Sequence, residues 1–352
     1  MNRPRKDLAR AAGVAAAALL ALLVAGRLTR SALTPAEPET SATRATATGS
    51  TVGQRSPVLA TVDVGPGPPG RLAVGAGAVW AVGDAGTVAR IDPATDQVAA
   101  TIRVAGETAG ARAVAVGAGA VWVAVASPGV LVRVDPASNR VTATVPLGRP
   151  LRDPVGVAVA GGAVWVTCCG QEATARPGGK LLRVDPATLR VTPVVLPREP
   201  LGLAADDRQV WISATDGSAV MVDPATSKVV RVDTDQRDGG AAQDVAVGAG
   251  AVWLAYPGGG LVARVDPEGP AGGEAVPVDA ATILAVGDDL VWVVAGNDQG
   301  VVAIDPGIPA VVRGFPLTFV RDVRALVYGS GSLWAAQGSS RVLRVDPSRL
   351  EP

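Results

Sequence analysis

Histidine is absent from this sequence of 352 residues. Because histidine is the commonest general acid or base in enzymes and a favoured ligand of zinc, copper and iron, its absence argues against many hydrolases and metal centres. The sequence also lacks a Gly-x-Ser-x-Gly motif, which surrounds the serine nucleophile in one large class of hydrolases. We therefore predict no metal site and no cofactor, and we favour a chain without catalytic activity.

Cysteine is scarce, since Cys168 and Cys169 are the only two and they are adjacent. They cannot form a long-range disulfide within the chain, which excludes a disulfide-rich scaffold. In an oxidising compartment they could form a vicinal disulfide. The alternatives are two buried thiols, or intermolecular or metal chemistry.

An excess of either charge is also lacking, because 32 Lys and Arg residues balance 32 Asp and Glu residues. A chain without a basic excess has no general electrostatic attraction to nucleic acid, so we predict no nucleic-acid partner. Aromatic residues make up 3% of the chain, whereas there are 43 Gly and 28 Pro. This composition favours many short elements joined by turns.

The N-terminal region reads as an export signal followed by a linker. Residues 1–10 are basic and are expected to stay in the cytoplasm, and residues 11–26 are an uncharged apolar run that predicts a signal anchor or a cleaved signal peptide. Arg27 and Arg30 favour the uncleaved anchor. Residues 27–56 are rich in Ser, Thr, Pro and Ala, which is typical of a disordered linker. We expect a single-pass membrane protein with the remaining domain outside the cytoplasm or, alternatively, a secreted protein.

The remaining sequence, residues 57–352, contains seven copies of one unit. Two markers recur in phase about every 42 residues, which is the signature of a repeat architecture. The first marker is tryptophan, at Trp80, Trp122, Trp165, Trp211, Trp253, Trp292 and Trp334. The second is an Asp-Pro pair, beginning at Asp92, Asp135, Asp185, Asp223, Asp266, Asp305 and Asp346.

Each unit contains four short stretches rich in Val, Ile and Ala, separated by Gly-rich or Asp-Pro turns. Such stretches are typical of strands. Four strands per unit and a period near 42 predict an all-β fold, a seven-bladed β-propeller of four-stranded blades. The last unit ends soon after its third strand, whereas residues 56–65 resemble a fourth strand. We therefore predict that the N-terminal strand completes the last blade and closes the ring.

The repeats, for example VWVAVASPGVLVRVDPASNRVTATV in residues 121–145, resemble those of YVTN-type propellers and of streptogramin B lyases. The resemblance covers about residues 57–347 and implies the fold. The lyases are expected to use a histidine and a magnesium ion, and this chain has no histidine to take that role. Quinoprotein dehydrogenases are a second resemblance, through the vicinal pair Cys168 and Cys169, although they typically have eight blades.

Irregular charged residues precede the predicted innermost strands, in loops that share one face of a propeller. Loops on a rigid scaffold commonly carry binding residues, and arginine suits carboxylate or phosphate groups. We predict that they meet at the mouth of the central channel, although solvation and internal ion pairs are the alternative. They are Arg71, Arg112, Arg152, Asp153, Arg198, Glu199, Asp244, Asp279, Arg321, Asp322 and Arg324.

These observations favour a non-catalytic binding or sensor module outside the cytoplasm. Its partner, which the sequence leaves unknown, would be a protein or a small molecule, with an anionic ligand favoured by the arginines. The competing hypothesis is a propeller enzyme of lyase or quinoprotein type, with Arg and carboxylate groups acting at the channel mouth. A pair of carboxyl groups with raised pKa values at that mouth would favour the enzyme.

Overall fold

The described part of the chain contains seven four-stranded antiparallel sheets, which together make a seven-bladed β-propeller, as the repeats predict. The computed structural model describes residues 56–107, 109–148, 152–169, 179–232, 234, 239–268, 273–296, 300–315 and 322–350. For residues 152–155, 169 and 313–315 it describes the backbone alone. Residues 1–55, with the predicted anchor and most of the linker, lie outside the described part. Within the described part, no helix has the length and apolar character needed to cross a membrane.

The strands, β1 to β28 in chain order, occupy four equivalent positions in the blades. The innermost strands are β2 (Pro69–Gly75), β6 (Ala111–Gly117), β10 (Arg152–Ala160), β14 (Pro200–Ala205), β18 (Asp244–Gly248), β22 (Ile283–Gly287) and β26 (Val323–Gly329). The second strands are β3 (Ala78–Gly83), β7 (Ala120–Val125), β11 (Ala163–Cys169), β15 (Val210–Ala214), β19 (Ala251–Tyr256), β23 (Leu290–Ala295) and β27 (Ser332–Gln337).

The outer half of each blade contains the other two positions. The third strands are β4 (Thr87–Asp92), β8 (Val130–Asp135), β12 (Lys180–Val184), β16 (Ala219–Val222), β20 (Leu261–Val265), β24 (Gly300–Asp305) and β28 (Arg341–Val345). The fourth strands are β5 (Gln97–Arg103), β9 (Arg140–Pro146), β13 (Val191–Val195), β17 (Val229–Val232), β21 (Gly273–Pro277), β25 (Ala310–Phe315) and β1 (Val58–Asp63). A short 3-10 helix, Pro347–Arg349, follows β28.

The tryptophans are packing anchors, because each is fully buried on the second strand of its blade. A buried indole N–H needs an acceptor. Trp80 Nε1 donates to the carbonyl oxygen of Gly75, five residues earlier, at 3.0 Å. Five other tryptophans make the same bond across their hairpins. In blade 4 the hairpin turn is longer, and Trp211 donates to the side chain of Gln209 at 2.9 Å instead.

In six blades the Asp-Pro pair forms the turn between the third and fourth strands, and in the last blade it leads from β28 into the short 3-10 helix. In the first blade, Asp92 accepts a hydrogen bond from the amide of Ala94 at 2.8 Å. The amide two residues after the aspartate makes this bond in all seven blades. The carboxylates therefore fix the turns, which is the Asx-turn geometry expected of this residue type.

The N-terminal strand completes the last blade, so the predicted ring closure is confirmed. Strand β1 pairs antiparallel with β28, and the pairing runs from Val58 opposite Val345 to Asp63 opposite Arg341. Beyond the strands, the amide of Asp346 donates to the carbonyl of Pro57 at 2.8 Å. The seam therefore joins the two ends of the described chain through backbone hydrogen bonds.

Candidate ligand-binding site at the channel mouth

The innermost strands begin at one face of the ring, where they surround a cavity of about 680 Å³. Residues from all seven blades line this cavity, and most of them are small or apolar. The polar exceptions are Arg71, Gln243, Asp244, Thr282 and Arg324. Three of the charged residues predicted for the channel mouth, Arg71, Asp244 and Arg324, therefore lie at one cavity.

A β-bulge near the start of several innermost strands positions the arginines. In β6, Ala111 and Ala113 pair with consecutive residues of β7, so Arg112 is an extra residue without an opposite partner. Arg324 is the extra residue of β26 in the same way. A bulge redirects side chains at the rim of a sheet. Both side chains are accordingly exposed, and Arg324 lines the cavity.

Arg71 is an exposed guanidinium whose hydrogen-bond partners among the described residues are carbonyl oxygens. Its Nη1 donates to the carbonyl of Gly70 at 3.0 Å and weakly to the carbonyl of Arg324 at 3.4 Å. It forms no ion pair with any residue that the structure describes. The N–H groups on Nε and Nη2 of Arg71 can therefore donate hydrogen bonds to an anionic group that enters the cavity.

Asp244 lies on the wall of the cavity at the start of β18. Its Oδ2 accepts a hydrogen bond from the amide of Leu284, in the next blade, at 2.9 Å. Burial raises the pKa of Asp244 to about 6, while the amides of Leu284 and Val245 and the charge of Arg71 act in the opposite direction. The carboxyl group thus satisfies unpaired amides at the inner edge of the sheets and remains ionised for the most part above neutral pH.

Two other arginines that the sequence predicts for the mouth are held by carboxylates. Arg324 Nη2 lies 3.0 Å from Asp322 Oδ2, and this hydrogen bond raises the pKa of Arg324. Arg112 Nη1 lies 3.0 Å from Asp84, a residue of the first blade's second-to-third loop. Internal ion pairs of this kind are the alternative to a binding role for these arginines. The case for an anion site therefore rests mainly on Arg71.

Arg198 lies away from the cavity and belongs to a separate cluster. Asp216 accepts from Arg198 Nε at 2.6 Å and from Arg231 Nη2 at 3.2 Å. Partial burial acts to raise the pKa of Asp216, but hydrogen bonds from Ser218 and Arg198 and the charge of Arg231 lower it overall. The cluster links the loop before β14, the loop between β15 and β16, and strand β17, which is a structural role.

The remaining predicted residues are not placed at the cavity. Glu199 and Asp279 make backbone contacts in neighbouring loops, since their carbonyls accept from Thr215 and Gly296. The side chains of Arg152 and Asp153, and the whole of Arg321, lie outside the described residues. They stay predictions.

The cysteine pair is described only in part. Cys168 is buried in β11, and its Sγ donates to the carbonyl of Lys180 at 3.5 Å. The side chain of Cys169 lies outside the described residues. The vicinal disulfide therefore stays a prediction.

Sequence reasoning missed several polar groups around the channel. Gln243 and Thr282 line the cavity, and Asp84 pairs with Arg112. Alignment on the tryptophans could have found Gln243 and Thr282, because both stand ten residues before a tryptophan, as Arg112 and Arg324 do. Asp84 could not be found in this way, since its partner belongs to another blade.

Comparison with known proteins defines the fold but not a family. No protein-family model and no curated protein sequence matches the chain. Among solved structures, it is similar to hydrazine synthase of Kuenenia stuttgartiensis, with a TM-score of 0.64, 13% identity, and coverage of 81% of this chain and 97% of that one. It is also similar to the computationally designed Ika8 protein, with a TM-score of 0.57, 14% identity, and coverage of 82% and 99%. At these identities the likeness shows the fold alone.

Proposed function

We propose that this β-propeller is a non-catalytic binding module whose small-molecule ligand enters the mouth of the central channel and presents an anionic group to Arg71. The observation that carries the proposal is the cavity itself. Its volume of about 680 Å³ falls within the range of small-molecule sites, roughly 300–1,000 Å³. Arg71 supplies an exposed charge at its wall, and arginine is well suited to carboxylate and phosphate groups.

Rigidity of the cavity also supports a binding role. Each innermost strand packs closely on the next blade, because a Cβ on Gly117 would lie 2.8 Å from the side chain of Val159. A Cβ on Gly329 would come still closer to Val74, at the junction of the last and first blades. A rigid, preformed site binds more tightly, because less free energy is spent on ordering its side chains and loops when the ligand binds.

The competing proposal, an enzyme of lyase or quinoprotein type, would need groups that exchange protons at the mouth. Asp244 has a raised pKa, but it is a single carboxyl group whose oxygens accept bonds from the amides of Leu284 and Val245. The resemblance to YVTN-type repeats and to streptogramin B lyases bears on the fold and supplies no residue for catalysis. We therefore favour binding over catalysis.

We further propose that the module works outside the cytoplasm, held at the membrane by residues 11–26. The support is sequence evidence: an uncharged run of Ala, Leu and Val follows a basic segment, and arginines stand directly after it. This pattern is typical of a signal anchor with its N-terminus in the cytoplasm. Secretion after cleavage is the alternative.

The binding proposal is tested by thermal unfolding of the full chain in a non-ionic detergent. The probes are acetate, succinate and inorganic phosphate. A ligand that binds the native state raises the unfolding midpoint, so we expect at least one probe to do so. The Arg71→Ala variant should bind it about tenfold more weakly, since a charged hydrogen bond contributes about 1.5–3 kcal/mol.

Arg103→Ala is the matched control, because Arg103 is an exposed arginine on the outer strand β5. It should respond to the probe as the unchanged protein does. The proposal fails if none of the probes raises the midpoint, or if Arg71→Ala responds as strongly as Arg103→Ala.

A further inference from the structure

Polar side chains are distributed unevenly around the channel. Among the described side chains of the innermost strands, arginines stand on one side, with Arg324 in the last blade, Arg71 in the first and Arg112 in the second. The adjacent blades pack in chain order around the ring, and the last packs on the first. The three blades that carry these arginines are centred on the first, and in a ring of seven the point opposite the first blade is the junction of blades 4 and 5. The side facing the arginines is therefore formed by blades 4 and 5, flanked by blades 3 and 6.

On that opposite side, blades 3 and 4 share a feature that the other blades lack. The residue two positions after the tryptophan carries a hydroxyl group, and the innermost strand has glycine directly opposite it. Gly156 pairs with Thr167 in blade 3, and Gly202 pairs with Ser213 in blade 4. At the same position the other blades have valine or alanine: Val82, Ala124, Ala255, Val294 and Ala336.

These two hydroxyl groups are buried without a hydrogen-bond partner among the described residues. Both residues are fully buried. An unsatisfied buried hydroxyl costs about 1–3 kcal/mol, and native proteins contain few of them. Two at equivalent positions in neighbouring blades, each behind a glycine that lines the cavity, therefore require a physical explanation.

The glycine in blade 4 leaves polar atoms close to the cavity wall. The position that a Cβ of Gly202 would occupy lies 2.9 Å from Ser213 Oγ, 3.1 Å from Asp244 Oδ1 and 3.1 Å from the amide nitrogen of Val245. A larger residue would cover these atoms. We call this part of the wall, formed by Gly202, Ser213 and Asp244, the polar recess.

We propose that the ligand is dipolar: a small molecule whose anionic group is held by Arg71 and whose ammonium group is held in the polar recess by Asp244, with Ser213 as a further acceptor. The proposal rests on the binding function proposed above. An ammonium group has three donors and no acceptor, so it suits a carboxylate and a hydroxyl oxygen. Asp244 can serve, because a carboxylate has about four acceptor sites and the amides of Leu284 and Val245 use two.

Isothermal titration calorimetry of the full chain in non-ionic detergent at pH 8 tests the proposal. The probes are ω-amino carboxylates from 3-aminopropanoate to 8-aminooctanoate, and hexanoate and hexylammonium are their singly charged counterparts. We expect one chain length to bind at least tenfold more tightly than either counterpart. The optimal length then reports the separation between Arg71 and the polar recess.

Three substitutions show which residues bind the carboxylate end and the ammonium end of the ligand. Arg71→Met should weaken both hexanoate and the best amino carboxylate about tenfold. Asp244→Asn should weaken the amino carboxylate about tenfold and leave hexanoate unchanged. Ser213→Ala should weaken the amino carboxylate several-fold without lowering the unfolding midpoint, because it removes an unsatisfied hydroxyl. Asp207→Asn is the matched control for the loss of a carboxylate, since Asp207 is exposed in the hairpin turn of blade 4.

The outcomes separate the two proposals. If hexanoate binds as tightly as every amino carboxylate, or if Asp244→Asn and Ser213→Ala leave affinity unchanged, the dipolar ligand is overturned and the anion site survives. If no probe binds the unchanged protein, both proposals fail. Should Asp244→Asn not fold, Ser213→Ala decides the question, because its midpoint shows independently that the fold is kept.

Discussion

Arg344 in the last blade forms an ion pair with Asp96 in the first blade, at 3.0 Å. The same guanidinium lies over the ring of Trp334, 5.4 Å from its centroid, and donates to the carbonyl of Pro93 at 2.7 Å. One side chain therefore joins the tryptophan anchor of one blade to the Asp-Pro turn of the next. It does so at the junction where the two ends of the ring meet.

This relationship predicts that Arg344→Ala destabilises the fold by about 2–4 kcal/mol, because it removes a partly buried charged pair and leaves its acceptors unsatisfied. Arg183→Ala is the control, since Arg183 lies over Trp165 and, among the described residues, makes no hydrogen bond to the next blade. We expect it to lose about 1 kcal/mol or less. Urea unfolding measures both values, and equal losses would contradict a stabilising role for the contacts that Arg344 makes with the next blade.

Deletion of residues 57–65 should unfold the propeller or make it oligomerise. The last blade would lose its fourth strand, and β28 would expose an unpaired edge. Size-exclusion chromatography with thermal unfolding measures the outcome. A shortened protein that stays monomeric with an unchanged unfolding midpoint would refute the closure.

Ala118→Asn should stabilise the protein by about 0.5–1 kcal/mol. Ala118 is exposed in a two-residue hairpin turn with φ of 49°, and Gly119 follows with φ of 71°. Asparagine followed by glycine is favoured in such turns, whereas alanine is strained at positive φ. Gly119→Ala is the opposite control and should destabilise the fold. Chemical unfolding measures both, and a destabilised Ala118→Asn variant would contradict the prediction.

Asp244 should make the stability depend on pH. Its pKa is raised to about 6 in the folded protein, whereas an unfolded aspartate has a pKa of about 3.9. Between these values the folded state holds a proton that the unfolded state has released. The contribution of Asp244 to stability is therefore complete below pH 4, falls as the pH rises towards 6, and is lower above it by about 1–3 kcal/mol.

The measurement is the free energy of unfolding of the unchanged protein minus that of Asp244→Asn, at each pH from 4 to 8. Subtraction removes the effects of the other carboxylates, because both proteins share them. We expect the difference to fall through this range. A constant difference would show that Asp244 has an ordinary pKa in the folded state.

A reporter that is active only outside the cytoplasm, fused after Pro352, should be active. Replacing Leu20 and Leu23 by Arg should abolish export, because each charge costs about 2.5–3.5 kcal/mol at the centre of a membrane helix. The control fusion carries Leu→Ile changes at the same positions. Strong activity of a cytoplasmic reporter at Pro352 would refute the proposed topology.

The fold could be predicted almost completely from sequence because its determinants are local and repeated. Trp80 and Asp92 each act within their own blade, and the same pair of signals occurs seven times. Ring closure could also be predicted, since the fourth strand missing from the last unit appears before the first. Because each repeat packs against its neighbours in the same way, the repeated sequence also predicts how the blades are arranged.

The site was predictable only in outline, because its contacts join different blades. Arg71, Asp244 and Arg324 could be assigned to the mouth from their position relative to a tryptophan. The pairing of Arg112 with Asp84 depends on the distance between loops of two blades, which the repeat does not specify. The polar recess depends on the absence of a side chain at Gly202. The sequence does not show this, because the atoms that a side chain would cover belong to other strands.

The closing seam also determines how the propeller responds to mechanical force. Val58 pairs with Val345, so the chain leading into β1 and the chain leaving β28 emerge side by side at the same end of the seam. Tension between these two ends would therefore separate the strands one residue pair at a time, beginning at Val58, rather than shearing the whole seam at once. Pulling on the ends would open the ring at its rim before it disturbed the tryptophan anchors or the channel.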